Sequence, residues 1–249
     1  MIYITGECHA DFRKLNKENF PEQSEMTKDD YVIICGDFGG VWDGEQESKN
    51  EKWWMNWLEE RSFTTLFVDG NHENFDRLSS YPVEQWHGGR VHKIRPSVIH
   101  LMRGQVFELE GRKFFTFGGA QSHDISDGIL EPNEPKFKQK KKYLDARNGF
   151  YRVNHISWWA QELASDEEIE EAGRNLELQN WKVDYIVSHC APISTQAMLG
   201  IHDVDVTTTF LETVKSKCDY IYWFFGHYHD NCKVTSKDCL LYEQIIRIC

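Results

Sequence analysis

Five short clusters in this chain carry side chains able to hold metal cations: Gly6-Glu7-Cys8-His9, Gly36-Asp37, Gly70-Asn71-His72-Glu73, Ser188-His189 and Gly226-His227-Tyr228-His229. Carboxylate, imidazole and amide oxygen are donors suited to hard and borderline divalent metals. In extended backbone, side chains at i and i+2 share a side. Glu7 with His9, and His227 with His229, are therefore candidate ligand pairs. A carboxylate such as Asp37 can bridge two cations. Two cations about 3.5–4 Å apart can hold a hydroxide and clamp the phosphoryl oxygens of an in-line displacement. One cluster alone carries little weight, because a lone His after a strand is usually structural and an isolated Gly-Asp is usually a turn. Five clusters in this order point to a single site.

Something must bring them together. Each cluster follows a short apolar run: residues 2–5, 31–35, 64–68, 183–187 and 220–225, with a further run at 113–117 before Gly118-Gly119. Continuous β-branched and aromatic runs of this length read as strands buried on both faces. In open α/β sheets, ligands bind beyond the carboxyl ends of the strands. Helices are predicted at 51–60, 165–179 and 207–216. The second is the clearest, with Ser165 and Glu168 forming a capping box and Ile169, Ala172 and Leu176 an apolar stripe. Strand–helix alternation predicts a layered α/β fold. Closely spaced strand-like runs within 97–109, 112–117 and 232–248 add antiparallel pairing. Residues 131–155, with two Pro and a Lys cluster, break the pattern. They read as an inserted excursion around 121–160, a solvated surface segment or a lid, within one domain spanning 1–249. Residues 120–160 are expected to shape specificity.

Whole-chain properties narrow the partners. The 249 residues carry a net charge of −12, which argues against long nucleic acid, whose backbone calls for a basic surface. A small substrate is not disfavoured, since bound cations invert the local field. Seven cysteines, an odd number without a CxxC pair, suggest neither a disulfide framework nor a zinc finger. Reduced thiols fit a cytoplasmic location. The start of the chain lacks the basic and apolar regions of a signal peptide, and no stretch reaches the roughly 18 apolar residues of a membrane span.

The ordered set of clusters resembles the calcineurin-like metallophosphoesterase family, whose pattern is D-x-H, G-D, G-N-H-[ED], H and G-H-x-H. The resemblance runs from Glu7 to His229. It implies a four-layer α/β/β/α sandwich with two mixed sheets. It implies two divalent or trivalent metal ions (Mn, Fe or Zn): Glu7, His9 and His229 on the first, Asn71, His189 and His227 on the second, with Asp37 bridging. Hydrolysis of a phosphate mono- or diester would proceed by attack of a metal-bridging hydroxide, with Asn71 stabilising charge and His72 contacting the phosphate and protonating the leaving oxygen. A histidine titrates near neutrality, which suits that task.

The chain departs from the family pattern in two places. Glu7 stands where Asp is usual. After Asp37, Gly40 and Val41 replace the Asp and phosphate-binding Arg of the protein Ser/Thr phosphatase branch, so a bidentate Arg fork is missing there. That disfavours a protein phosphatase and favours a diester or small-molecule substrate. A nuclease is the next alternative, disfavoured by acidity. A low-activity metal-binding scaffold is the third, kept open by Glu7. Asp43 is a candidate to orient His72. His92, His123 and Asp124 are candidates for the substrate side, and Arg90 and Arg147 for phosphate contacts, although each alone reads first as structural. Cys8, Cys190 and the Trp158-Trp159 pair read as packing residues, with base stacking by the tryptophans as the less favoured role.

Overall fold

The computed structural model describes Met1–Ile248. Seven strands form the first sheet: β1 (Ile2–Thr5), β2 (Tyr31–Ile34), β3 (Thr64–Phe67), β4 (Val83–Trp86), β5 (Gly89–Arg95), β6 (Val98–Leu101) and β15 (Ile245–Arg247). Their spatial order is β15-β1-β2-β3-β6-β5-β4. The second sheet contains β7 (Gln105–Leu109), β8 (Arg112–Phe117), β11 (Tyr185–Ser188), β12 (Tyr222–Phe225), β13 (Cys232–Lys233) and β14 (Asp238–Leu240). Its order is β13-β14-β12-β11-β8-β7. Both sheets have a parallel centre, β1-β2-β3-β6 and β8-β11-β12-β14, and antiparallel edges.

Side-chain alternation explains the layering. In β1 and β2, Ile2, Ile4, Tyr31 and Ile33 face the second sheet, whereas Tyr3, Val32 and Ile34 face outward. In β8, Phe114 faces inward and Phe115 and Phe117 outward. Each sheet therefore buries both faces, which is why the strands read as continuous apolar runs. The outer face of the first sheet is covered by helix α1 (Lys49–Glu59), short helix α2 (Phe75–Leu78) and the loop bearing Phe12 and Phe20. The outer face of the second is covered by α4 (Asp166–Leu178) and α6 (Val206–Lys217), with α5 (Ile193–Met198) beside α6. The result is an α/β/β/α sandwich.

The predicted cap forms. Ser165 and Glu168 make the reciprocal capping box of α4, and Ala172 and Leu176 are buried beneath it. Helix α1 begins before residue 51 because Ser48 and Glu51 make a second capping box. The β4–β5 hairpin was not predicted. Its first strand is largely exposed, so it lacks the apolar run that marks the central strands.

Segment 121–160 builds a small structure of its own. Helix α3 (Phe137–Ala146) contains the lysine run, and β9 (Ile129–Leu130) pairs in parallel with β10 (Arg152–Val153). Leu130, Leu144 and Val153 form its apolar centre, flanked by Phe137 and Tyr151. Among the described residues no helix is long and apolar enough to cross a membrane.

Candidate metal centre

Five strand ends converge at one edge of the sandwich. β1 leads into Glu7 and His9, β2 into Asp37, β3 into Asn71 and His72, β11 into His189, and β12 into His227 and His229. Backbone bonds lock these loops together: the His9 amide donates to the Asp37 carbonyl at 2.8 Å, and the Gly226 amide to the His189 carbonyl at 2.9 Å.

Among the described residues three overlapping donor groups result: Glu7, His9 and His229; His9, Asp37 and His72; and Asp37, His189 and His227. Within each group the donor atoms lie within 4.8 Å of one another. The Glu7 carboxylate is buried, with Oε2 3.3 Å from His9 Nε2 and 3.2 Å from His229 Nε2. Among the described residues neither Glu7 oxygen has a hydrogen-bond partner, so the rings approach without aiming an N–H at the carboxylate. Across Asp37, Oδ2 faces His9 Nε2 at 3.7 Å, while Oδ1 lies 3.2 Å from His189 Nε2. The Asn71 amide oxygen is 3.3 Å from the same His189 nitrogen.

The backbone is bent to achieve this. His9, Asp37, His227 and His229 all adopt positive φ, at 47, 41, 71 and 50°. Such conformations are uncommon for non-glycine residues and cluster at functional sites. Gly70 is forced by proximity, because a Cβ there would overlap Asp37 Oδ1.

Supporting contacts orient the donors. His189 Nδ1 donates to the Cys35 carbonyl at 2.9 Å, which directs Nε2 into the site. Glu73 Oε1 accepts the Phe38 amide at 2.8 Å and so braces the Asp37 loop. Lys14 Nζ donates to the carbonyls of Gly6, Glu7 and Tyr242 at 2.9, 2.8 and 2.9 Å, tying the Glu7 loop to the C-terminal turn.

Electrostatics follow from burial and crowding. Burial alone would raise the Asp37 carboxyl, but His189, His72 and His9 hold it well below the usual carboxylate range. Burial opposes charge on His189, yet Asp37 lifts it to about 9. Burial lowers His72 to about 4, with the Arg152 guanidinium adding to the effect. Burial also lowers His227 well below its ordinary value, reinforced by His189. His72 and His227 are thus neutral imidazoles with lone pairs to give at neutral pH. The proton between His189 and Asp37 occupies a place that a cation would take in exchange. Orphaned Glu7 oxygens, converging imidazole nitrogens and a nitrogen–oxygen donor set fit one or more divalent metals.

Several surrounding residues were not singled out from sequence. Arg152, on β10, places Nη2 3.3 Å from His72 Nε2. The Trp42 ring stacks on His72 at 5.6 Å and packs edge-on to Trp159, which is fully buried. Asn71 Nδ2 donates to Ser122 Oγ at 3.4 Å, and the Ser122 amide donates to Glu162 at 3.1 Å. Burial raises the Glu162 carboxyl to about 7. No sequence spacing links these segments to the ligand loops.

The other candidates are distributed as follows. His123 stacks on His227 at 4.5 Å, and Asp124 accepts from Arg152 Nε at 2.7 Å, so both border the site. His92 instead pairs with His100, which bonds Asp69 at 3.1 Å in a separate buried network. Arg90 pairs with Glu171, and Arg147 with Asp127. Asp43 gives its amide to Glu51 and its carbonyl to Arg77, while His72 Nε2 is met by Arg152. Cys8 and Cys190 pack in the two outer apolar layers.

In comparisons with known proteins, residues 2–231 match the family model described as calcineurin-like phosphoesterase. Lariat debranching enzyme A of Xenopus laevis is 26% identical over 144 residues, covering 52% of this chain and 26% of that protein. The lariat debranching enzyme of Danio rerio is 24% identical over 144 residues, covering 52% of this chain and 24% of that protein. The chain thus spans about a quarter of the length of each of these curated relatives.

Proposed function

The chain belongs to the calcineurin-like phosphoesterases, metal-dependent hydrolases of phosphate esters, and within that family we propose that it is a dinuclear enzyme acting on a small-molecule phosphate mono- or diester. The observation that carries this reading is the position of Asp37, whose two oxygens face different donor groups. On this reading Glu7, His9 and His229 would hold the first cation and Asn71, His189 and His227 the second, with Asp37 available to both. Mn, Fe and Zn all accept this donor set. When bound, such cations supply a water acidic enough to attack at neutral pH and offset charge on the phosphoryl oxygens.

The protein's own groups do the rest. Asn71 offers an oxygen to the site while Ser122 holds its amide nitrogen. His72 is close enough to His9 and Asp37 to act as a further donor, but its Nε2 faces Arg152, which favours a proton-carrying role. Arg152 cannot give up its proton, so His72 Nε2 is the acceptor in the resting site. An anion that draws the guanidinium away frees Nε2 and makes it more basic. His72 can then hold a proton and pass it to the departing alkoxide. In this reading residues 1–249 form one cytoplasmic domain, and segment 121–160 acts as a lid that shapes specificity.

The test is hydrolysis of p-nitrophenyl phosphate and bis-p-nitrophenyl phosphate by metal-stripped protein, with Mn²⁺, Fe²⁺ or Zn²⁺ restored and bound metal counted. Turnover with two metals per chain, lost together with metal in Asp37→Asn, supports the proposal. One metal per chain with full activity refutes the dinuclear form. Two bound metals without turnover on either ester would favour the scaffold reading. A nuclease is the second reading: the names of the two relatives favour it, and the net charge of −12 opposes it. Cleavage of oligonucleotides that weakens steeply with salt would establish it.

A further inference from the structure

The arginine missing at Val41 has a counterpart elsewhere in the chain. Arg152 lies about 80 residues beyond His72, in segment 121–160, yet its guanidinium reaches His72 Nε2 at 3.3 Å. The residue is buried, at 8% exposure. Three contacts fix it: Nε donates to Asp124 Oδ1 at 2.7 Å, Nη1 to the Ser157 carbonyl at 3.1 Å, and Nη2 to His72. A guanidinium has five N–H donors. Three are engaged here, which leaves one N–H on each terminal nitrogen without a partner among the described residues. Each of these two N–H groups can meet an oxygen of a phosphoryl group.

The setting makes this cation unusual. The chain is acidic overall, and the exposed cations Lys140, Lys141 and Arg147 are each paired with a neighbouring carboxylate. Arg152 is also paired, but its partner Asp124 is half-exposed and takes only the Nε edge. The outer edge faces the His72 ring, which Trp42 stacks from another side. The local core of Leu130, Leu144 and Val153 holds β10 in place, so the excursion folds in a way that presents this side chain.

We propose that Arg152 binds the non-bridging oxygens of the substrate phosphoryl group beside His72, and that it biases the site towards phosphate monoesters. This rests on the phosphoesterase reading of the same site. A monoester presents a dianion with three terminal oxygens, whereas a diester presents a monoanion with two. A further positive group beside the donor cluster therefore favours the monoester. It reverses the diester preference that the sequence around Asp37 suggests. On arrival the phosphoryl oxygens take the free N–H pair and compete for the one held by His72, which couples substrate binding to release of Nε2.

The experiment uses the full chain loaded with Mn²⁺. Inorganic phosphate binding is measured by calorimetry, and kcat and KM are measured for p-nitrophenyl phosphate and bis-p-nitrophenyl phosphate, in the parent, Arg152→Lys, Arg152→Met and Asp124→Asn. Arg152→Met is expected to weaken phosphate binding at least tenfold and to lower monoester kcat/KM by about 10²–10³-fold, the usual effect of removing one donor to a developing oxyanion. The diester should lose about tenfold less, with bound metal per chain unchanged. Arg152→Lys should recover part of the loss, and Asp124→Asn, at a half-exposed position, should raise monoester KM more than it lowers kcat. An Arg152→Met chain that retains its metal, phosphate affinity and monoester-to-diester ratio overturns the proposal. If the parent binds phosphate but hydrolyses neither ester, the catalytic reading fails, and the phosphate affinities of the three variants still decide the Arg152 subsite.

Discussion

Glu7 offers a test that separates a metal-built site from a purely structural cluster. Its carboxylate is buried, with neither oxygen hydrogen-bonded, and two imidazole nitrogens lie 3.2 and 3.3 Å from Oε2. A buried carboxylate without hydrogen bonds costs at least about 1 kcal/mol in the metal-free fold. A cation that binds only the folded chain recovers more than this. At a free concentration 100-fold above its dissociation constant it stabilises by about 2.7 kcal/mol per site. For a chain of this size 1 kcal/mol moves the melting temperature by roughly 2–4 °C, so one occupied site is worth about 5–10 °C. Glu7→Gln keeps the shape and removes the charge. The assay is differential scanning calorimetry of parent and variant, in chelator and in saturating Mn²⁺. In chelator the variant should melt no lower than the parent, and in metal the parent should gain about twice as many degrees as the variant. The reasoning is refuted if Mn²⁺ moves the parent by less than 1 °C, or if Glu7→Gln is less stable than the parent in chelator.

Three further outcomes are expected. Gly70→Ala places a methyl against Asp37 Oδ1 and should cut metal-dependent turnover at least about 100-fold, measured with added-back metal, because positioning errors of this size typically cost that much. Glu162, raised to about 7 by burial from 4.5, binds its proton more tightly in the folded chain. In urea titrations of the metal-free protein, the stability of the parent relative to Glu162→Gln should therefore fall by up to about 3 kcal/mol as pH climbs from about 4.5 to about 7, a comparison in which the opposite contributions of His72 and His227 cancel. Ser165→Ala breaks the capping box of α4 and should cost about 1 kcal/mol, or about 2–4 °C, with kcat unchanged.

Much was legible in the sequence because each ligand cluster is local. A short apolar run followed by Gly and a polar pair states both the strand and what lies at its end. The runs before Gly6, Gly36 and Gly226 became β1, β2 and β12. The same holds for α4, whose cap and stripe are contained in consecutive residues. The layered α/β architecture follows from the number and order of such runs, since strands apolar on both faces must be covered twice.

What surrounds the clusters was not legible, because it is made by residues distant in sequence whose types carry no signal of their own. Arg152 looks like any cation on a polar excursion, and only the pairing of β9 with β10 places it against His72. Trp42 and Glu162 are equally ordinary until the sandwich closes and stacks one on the imidazole and buries the other behind Ser122. The β4–β5 hairpin, exposed along its first strand, has no apolar pattern to reveal it. By itself the sequence determined which donor atoms stand at the strand ends, and in what order. Only the tertiary structure decided which oxygen of Asp37 faces which donor group, and which cation stands beside His72. Those contacts depend on loop directions and segment packing, and periodicity along a chain does not encode them.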